Sequence, residues 1–266
     1  MRLLYAADLH GDRAHYAALA ELARTVHPAA LILGGDLLAH THVAEEQIAF
    51  ARSPLRDLLR DVGRPVYAVA GNTDWPVGLA ELEGCVRFLG PAPVPLPGGP
   101  SLLGYPFVPP TPFRRKDFER RDLVGDRVIP PAEAYTSDPD GTTHPATANH
   151  FAVLPSIEED LAGWSGPAGS SLWVVHTPPH GTLDTVASGA QVGSRALDAA
   201  MRRTTPPVLL CGHIHEAPQQ LGRWAERVGR TLIINPGHGQ RLHAVVLEIS
   251  PVGDVLAAAH TEFGSP

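Results

Sequence analysis

Five short apolar runs punctuate the chain, and each stops at Gly, Asn, Asp or His: LLYAADLHGD, ALILGGDLL, PVYAVAGNTD, SLWVVHTPPHG and PVLLCGHIH. Their length and their Val, Leu and Ile content predict strands covered on both faces. Amphipathic stretches separate the first few. Residues 12–26 predict a helix with Asp12 as N-cap and Tyr16, Leu19, Leu22, Ala23 and Val26 on one side. Residues 43–62 read as helical with a break or restart at Pro54. Ser156 and Glu159 form a capping-box pair, and VGSRALDAAMRR (192–203) predicts a further helix with basic residues at its C-terminal end.

Strand–helix alternation of this kind points to an α/β domain around a central sheet. The tail changes character: PQQLGRW, TLIINPG, HAVVLEIS and DVLAAAH follow without helical segments and predict antiparallel strands closing a second sheet. Residues 109–155 break the rhythm, being rich in Pro, Thr, Asp and Arg. That is too long for an ordinary connection, so it reads as a disordered excursion or a lid inside a single domain spanning residues 1–266.

Composition narrows the class. The 266 residues carry a formal charge of −7, with 44% hydrophobic and 18% charged residues, which suits a globular protein and argues against a nucleic-acid surface. Two cysteines, Cys85 and Cys211, make no disulfide framework. Without a signal-peptide pattern or a bilayer-length apolar run, the expected location is cytoplasmic, with no membrane partner.

The candidate chemistry sits where the runs end. Asp8 and His10 end the first, Asp36 the second, Asn72 the third, His176 a later one, and His213 with His215 the last. The carboxyl ends of strands in an open α/β sheet share one edge, where ligands collect. Residues two apart in extended chain project to the same side, so Asp8 with His10, and His213 with His215, are expected to reach inward together. Each piece alone has an ordinary reading as a cap, a turn residue or a hydrogen-bonded histidine. Their joint occurrence in this order points to a metal site. Imidazole, carboxylate and amide ligands without thiolate suit Mn, Fe, Zn, Co or Ni.

The order D-x-H, G-D, G-N, H, G-H-x-H resembles the calcineurin-like metallophosphoesterases from Asp8 to about Val246. HTPPHGTLD, VGSRAL, CGHIHE and IINPG resemble the branch of predicted phosphoesterases related to bacterial cyclic-nucleotide phosphodiesterases. The resemblance implies a four-layer α-β-β-α sandwich with two mixed sheets. It also implies two transition-metal ions, with Mn, Fe or Zn foremost, one bound by Asp8, His10 and His215 and the other by Asn72, His176 and His213. Asp36 would bridge them, and catalysis would centre on Asp36, Asn72 and His213. The implied reaction is hydrolysis of a small phosphate ester, a diester in preference to a monoester, by a metal-bridging hydroxide.

One departure stands out. Thr73 occupies the place where the family often has a histidine that binds phosphate and protonates the leaving group. His180 is the candidate substitute, with a turn-capping loop histidine as its alternative reading. Asp74 reads as a turn residue or as one that orients a ligand. His40, His42 and His238 read as loop histidines near the cleft, and Arg114 and Arg115 as an exposed basic loop. A non-enzymatic scaffold on the same fold and a metal-dependent nuclease are the competing functions.

Overall fold

The computed structural model describes residues 1–164 and 171–266. Fourteen strands are described: β1 Arg2–Ala6, β2 Ala30–Leu33, β3 Val66–Ala68, β4 Arg87–Phe88, β5 Val94–Pro95, β6 Ser101–Tyr105, β7 Tyr135–Ser137, β8 Thr143–Pro145, β9 Ser171–Val175, β10 Val208–Leu210, β11 Ala225–Val228, β12 Thr231–Ile234, β13 Ala244–Ile249 and β14 Val255–His260. The first sheet runs β14-β13-β1-β2-β3-β4 and the second β11-β12-β10-β9-β6-β5. Each is mixed. β1 to β4 are parallel neighbours while β13 and β14 join antiparallel; β6, β9, β10 and β12 are parallel, flanked by antiparallel β5 and β11.

Alternation along each strand builds the layers. Leu3, Tyr5 and Ile32 share a core between the sheets with Leu172, Val174, Leu210 and Ile234. The intervening Leu4, Ala6, Leu31 and Leu33 face outward and pack on Tyr16, Leu19, Leu55 and Leu59. On the far side Trp173, Val175 and Leu209 meet Ile157, Leu161, Leu197 and Met201. The outer layers come from helices α1 Arg13–Val26, α2 Ala44–Phe50, α3 Arg56–Asp61 and α4 Pro76–Ala80 on the first sheet and α6 Ile157–Ala162 and α7 Arg195–Thr204 on the second, with α5 Ala148–Val153 and α8 Ala217–Leu221 as further short helices. Strands buried on both faces must be apolar throughout, which is why the runs lack alternation. The result is the α-β-β-α sandwich.

The predicted caps are present: Asp12 accepts from Ala14 and His15, and Ser156 and Glu159 close a capping box; Ser194, not singled out in the sequence, caps α7. The 43–62 stretch is helical but interrupted, with non-helical backbone at Ser53 before Pro54. Two expectations need correction. PQQLGRW is no strand, since Ala217–Leu221 forms α8. Nor does the tail close one antiparallel sheet: β11 and β12 extend the second sheet, β12 parallel to β10, whereas β13 and β14 cross to the first. Strand propensity alone carries no information on which sheet accepts a strand.

Residues 109–155 are ordered and packed rather than a disordered excursion. They include the β7–β8 hairpin and α5, and they hold a fully buried ion pair, Lys116 Nζ to Glu119 Oε1 and Oε2 at 2.9 and 2.8 Å. Glu119 also accepts from Thr111 N at 3.0 Å and Thr111 Oγ1 at 2.5 Å. Arg115 contradicts the exposed-loop expectation. It is buried, donates to the carbonyls of Thr73 and Thr41, and stacks 4.2 Å over Trp75. Arg114 is exposed and paired with Glu133. The insertion is thereby clamped onto the loops that follow β2 and β3.

Removing one partner of a buried pair strands a charge, which costs about 3–5 kcal/mol, whereas replacing both with apolar groups costs far less. Lys116→Met and Glu119→Leu are each expected to lower unfolding stability by that amount in urea titration, and the double variant by less than either. A double variant as unstable as the sum of the singles would contradict this coupling.

Candidate metal centre

Every candidate ligand lies just beyond the carboxyl end of a parallel strand. Asp8 and His10 follow β1, Asp36 follows β2, Asn72 follows β3, His176 directly follows β9, and His213 with His215 follow β10. The loops are zipped together by backbone bonds, Asp8 N to Gly35 O at 3.0 Å, His10 N to Asp36 O at 2.9 Å and Gly212 N to His176 O at 3.0 Å. One expectation fails in detail. Asp8, His10 and His213 are not extended: with Asp36 they have φ of 56°, 45°, 66° and 51°. Strand alternation therefore does not aim these pairs; tight left-handed turns do. That conformation costs on the order of 1–3 kcal/mol per non-glycine residue and collects at functional sites. The motif glycines have a matching cause. A Cβ at Gly71 would overlap Asp36 Oδ1, and one at Gly212 would overlap Asp8 Oδ2.

Asp8, His10, Asp36 and His215 offer ligand atoms that all lie within 4.8 Å of one another. His10 Nε2 and His215 Nε2 are 2.9 Å apart, His215 Nε2 is 3.5 Å from Asp8 Oδ1, and His10 Nε2 is 3.8 Å from Asp36 Oδ2. On the other side of Asp36, Oδ1 lies 3.4 Å from His176 Nε2, which is 3.2 Å from Asn72 Oδ1. The His213 ring centroid is 5.1 Å from that of His176. Asp36 thus presents one oxygen to each group.

Electrostatics support a cationic occupant. Asp8 and Asp36 are buried, and among the described residues their ionic partners are histidines alone. Burial would raise both carboxyls, but the charge and hydrogen bonding of His215 at Asp8 and of His176 at Asp36 outweigh it and hold both low. His176 answers in kind: burial opposes its charge, yet Asp36 drives it up to about 9. His213, buried beside His176, falls to about 3. Among the described residues, imidazoles are thus the groups beside these carboxylates that can carry positive charge. A nitrogen and oxygen donor set of this kind fits a borderline divalent cation. The supporting bonds fit as well: His176 Nδ1 faces Gly34 O at 2.8 Å, which leaves Nε2 free to coordinate.

Neighbouring residues hold the ligands in place. Thr73 N donates to Asp36 Oδ1 at 2.8 Å, and Thr73 Oγ1 lies 3.5 Å from His10 Nδ1. Asp74 ties two ligand loops together by accepting from Leu38 N at 2.8 Å and Gly71 N at 2.9 Å; burial and the charge of Asp36 raise it to about 7. His238 touches the site more closely than its sequence suggests. Its Nδ1 reaches Asp8 O at 2.8 Å and its ring lies 5.3 Å from His215. The signal was its position, because the NPGHG loop also follows a parallel strand, β12.

The cluster opens into a cavity of about 420 Å³ lined by His10, Asp36, His40, Asn72, Thr73, His213 and His215, with Pro109–Phe113, Val186, Val192, Ile214 and Glu216 completing the wall. His40 is therefore a wall residue. His180 is not among the lining residues; it is partly exposed and lies 3.5 Å from Asp184. His42 faces Tyr135 instead. A larger cavity of about 520 Å³ lies beside Trp75, Arg114 and Tyr135 but contains no ligand cluster, so chemistry rather than size locates the site. Among the described residues no helix is long and apolar enough to cross a membrane.

The chain belongs to the calcineurin-like phosphoesterase superfamily, whose domain model matches residues 1–249. Among solved structures, TT1561 of Thermus thermophilus superposes with a TM-score of 0.57 at 15% identity, covering 92% of this chain and 93% of that one, and this likeness speaks to the fold. YfcE, a phosphoesterase from E. coli, gives 0.41 at 18% identity over 97% and 98% of the two chains. An archaeal phosphodiesterase gives 0.46 at 13% over 93% of each. Neither of these two fits is close enough to add to the argument. No curated protein matches the chain.

The loop bearing His238 is fixed by Pro236 O, which faces His243 Nδ1 at 2.9 Å and His260 Nε2 at 3.0 Å. His260 Nδ1 accepts from Glu262 N at 2.9 Å, so the ring is bound in its neutral form. Burial pushes it from 6.5 to about 4. A depressed folded pKa gives stability that is present above 6.5 and lost as pH falls through 4, about 2–4 kcal/mol in all. Urea unfolding across that range is expected to show this loss and a shallower one in His260→Gln. Identical slopes would contradict it.

Proposed function

We propose that this chain is a dinuclear metal-dependent phosphoesterase that hydrolyses phosphate diesters in preference to monoesters. The observation that carries the reading is Asp36, buried between two groups of ligands with Oδ2 toward His10 and Oδ1 toward His176. Asp8, His10 and His215 would hold one ion and Asn72, His176 and His213 the other, with Asp36 shared; Mn, Fe or Zn suits these donors. When bound, two such ions supply a water that is nucleophilic at neutral pH and take up charge on the phosphoryl oxygens. Two dications against two carboxylates leave a net positive site, which attracts an anion although the chain carries −7 overall.

The protein's own groups set orientation. Thr73 N fixes one oxygen of Asp36, Gly34 O fixes the His176 ring, and His213 N holds Asp8 Oδ2 at 2.9 Å. None of the described residues lining the cavity is Lys or Arg. A diester monoanion needs less neutralisation than a monoester dianion, and a nucleic-acid polyanion needs far more, so the nuclease reading loses ground.

Proton delivery to the leaving group is the weak step. Thr73 is a poor acid, His180 lies off the cavity wall, and burial holds His40 below its ordinary pKa. Leaving groups of low pKa are therefore favoured, because general acid catalysis elsewhere contributes about 10²–10⁴-fold.

Hydrolysis of nitrophenyl mono- and diesters and of 2′,3′- and 3′,5′-cyclic nucleotides, with metal analysis, tests the reading. Chelation is expected to abolish activity, and Asp36→Ala or Asn72→Ala to lower it by at least about a hundredfold. Activity surviving Asp36→Ala, or metal-replete protein inert to every ester, would contradict the proposal. Across aryl and alkyl diesters the rate is expected to fall steeply with leaving-group pKa; a flat dependence would show that an acid is present.

A further inference from the structure

The cavity has two chemically different ends. One is the ligand cluster. The other is an apolar wall from two separate loops: Phe113, with its neighbouring prolines, from the insertion, and Val192 from the connection between β9 and α7. Phe113 and Val192 are 43% and 39% exposed, and unlike the other exposed apolar side chains they line the same cavity as the ligand cluster. The Phe113 ring stands edge-on to His40, centroids 5.2 Å apart, which joins the apolar end to the ligand end.

This wall is built rather than incidental. Pro109, Pro110 and Pro112 restrict the backbone, and Thr111 is anchored through both N and Oγ1 to Glu119, itself locked by Lys116. In the other loop, Glu216 Oε1 accepts from Ala187 N at 3.1 Å and steadies the backbone next to Val186. A preformed wall loses little entropy when a ligand settles on it. Its volume falls in the range of about 300–1,000 Å³ usual for small-molecule sites. Arg115, which lines a small adjoining cavity with Phe113, is buried, and both of its terminal guanidinium nitrogens donate to the carbonyls of Thr73 and Thr41.

We propose that Phe113 and Val192 form a subsite for an uncharged apolar group, aryl in preference to short alkyl, carried by the phosphate ester. The inference rests on the phosphoesterase reading and adds the class of substrate. It agrees with the missing leaving-group acid, since aryl alcohols leave with low pKa.

Phosphonates, each with a single organic group, separate this subsite from the chemistry. Calorimetry on metal-loaded protein is expected to show phenylphosphonate binding about tenfold more tightly than methylphosphonate. 4-Carboxyphenylphosphonate, the same ring carrying an added charge, is expected to bind more weakly than phenylphosphonate, whereas 4-methylphenylphosphonate, enlarged at the same position without charge, is expected to bind more tightly than the carboxy compound. The phenyl-to-methyl ratio should fall several-fold in Phe113→Ala and, from the second loop, in Val192→Ser, and should survive in Phe113→Leu. The same order should appear in inhibition of nitrophenyl diester hydrolysis. Equal binding of phenyl and methyl probes, or a ratio unchanged in both wall variants, would overturn the subsite while leaving the hydrolase intact. Phenyl preference in a protein that hydrolyses no ester would overturn the phosphoesterase reading and, with it, the occupant named here.

Discussion

Two buried carboxylates, Asp8 and Asp36, with no lysine or arginine partner among the described residues, are the constraint from which the rest of this structure follows. An isolated buried charge costs several kcal/mol, and proteins keep one only when something compensates it. At Asp8 and Asp36 the compensation comes from imidazoles, one of which, His176, is driven up to about 9 by Asp36. A proton there serves the role a cation serves better. The left-handed turns at Asp8, His10, Asp36 and His213 add strain, and such strain persists where surrounding structure over-determines it.

The sandwich supplies that over-determination. Parallel strands of both sheets deliver their carboxyl ends to one rim, and the core between them fixes the spacing. Tyr5, fully buried in the first sheet, donates through its hydroxyl to Cys211 O at the end of β10, 2.7 Å away. One hydrogen bond thus ties the strand leading to Asp8 and His10 to the strand leading to His213 and His215. The insertion adds a second brace, since Arg115 holds the carbonyls of Thr41 and Thr73. The residues that shape the cleft wall are therefore continuous with those that hold the ligand loops.

Much of this was legible in the chain. Apolar runs ending at Asp, Asn and His marked the strands and the rim, because a strand buried on both faces has to be apolar and the polar residues that stop it stand at its end. Asp12 and Ser156 marked helix starts through local hydrogen bonding, which needs no tertiary knowledge. What could not be read was long-range. Whether β13 pairs with β1 or with the second sheet depends on packing, and the burial of Arg115 depends on Trp75 and on carbonyls some forty to seventy residues away in sequence. The aim of Asp8 and His10 was misread for a related reason: alternation presumes extended backbone, and the motif leaves the strand before the ligands begin. His40 and His180 look alike in sequence, and only the cavity distinguishes them.

Metal stoichiometry tests the central claim most directly. Metal-free protein titrated with Mn²⁺ or Zn²⁺ in a calorimeter, with proton release followed in buffers of different ionisation enthalpy, is expected to take up two ions per chain and to release protons as imidazole gives way to cation. Asp36→Asn is expected to weaken both sites together. Binding of one ion or none, or two ions bound with unchanged affinity in Asp36→Asn, would contradict a pair of cations sharing that carboxylate.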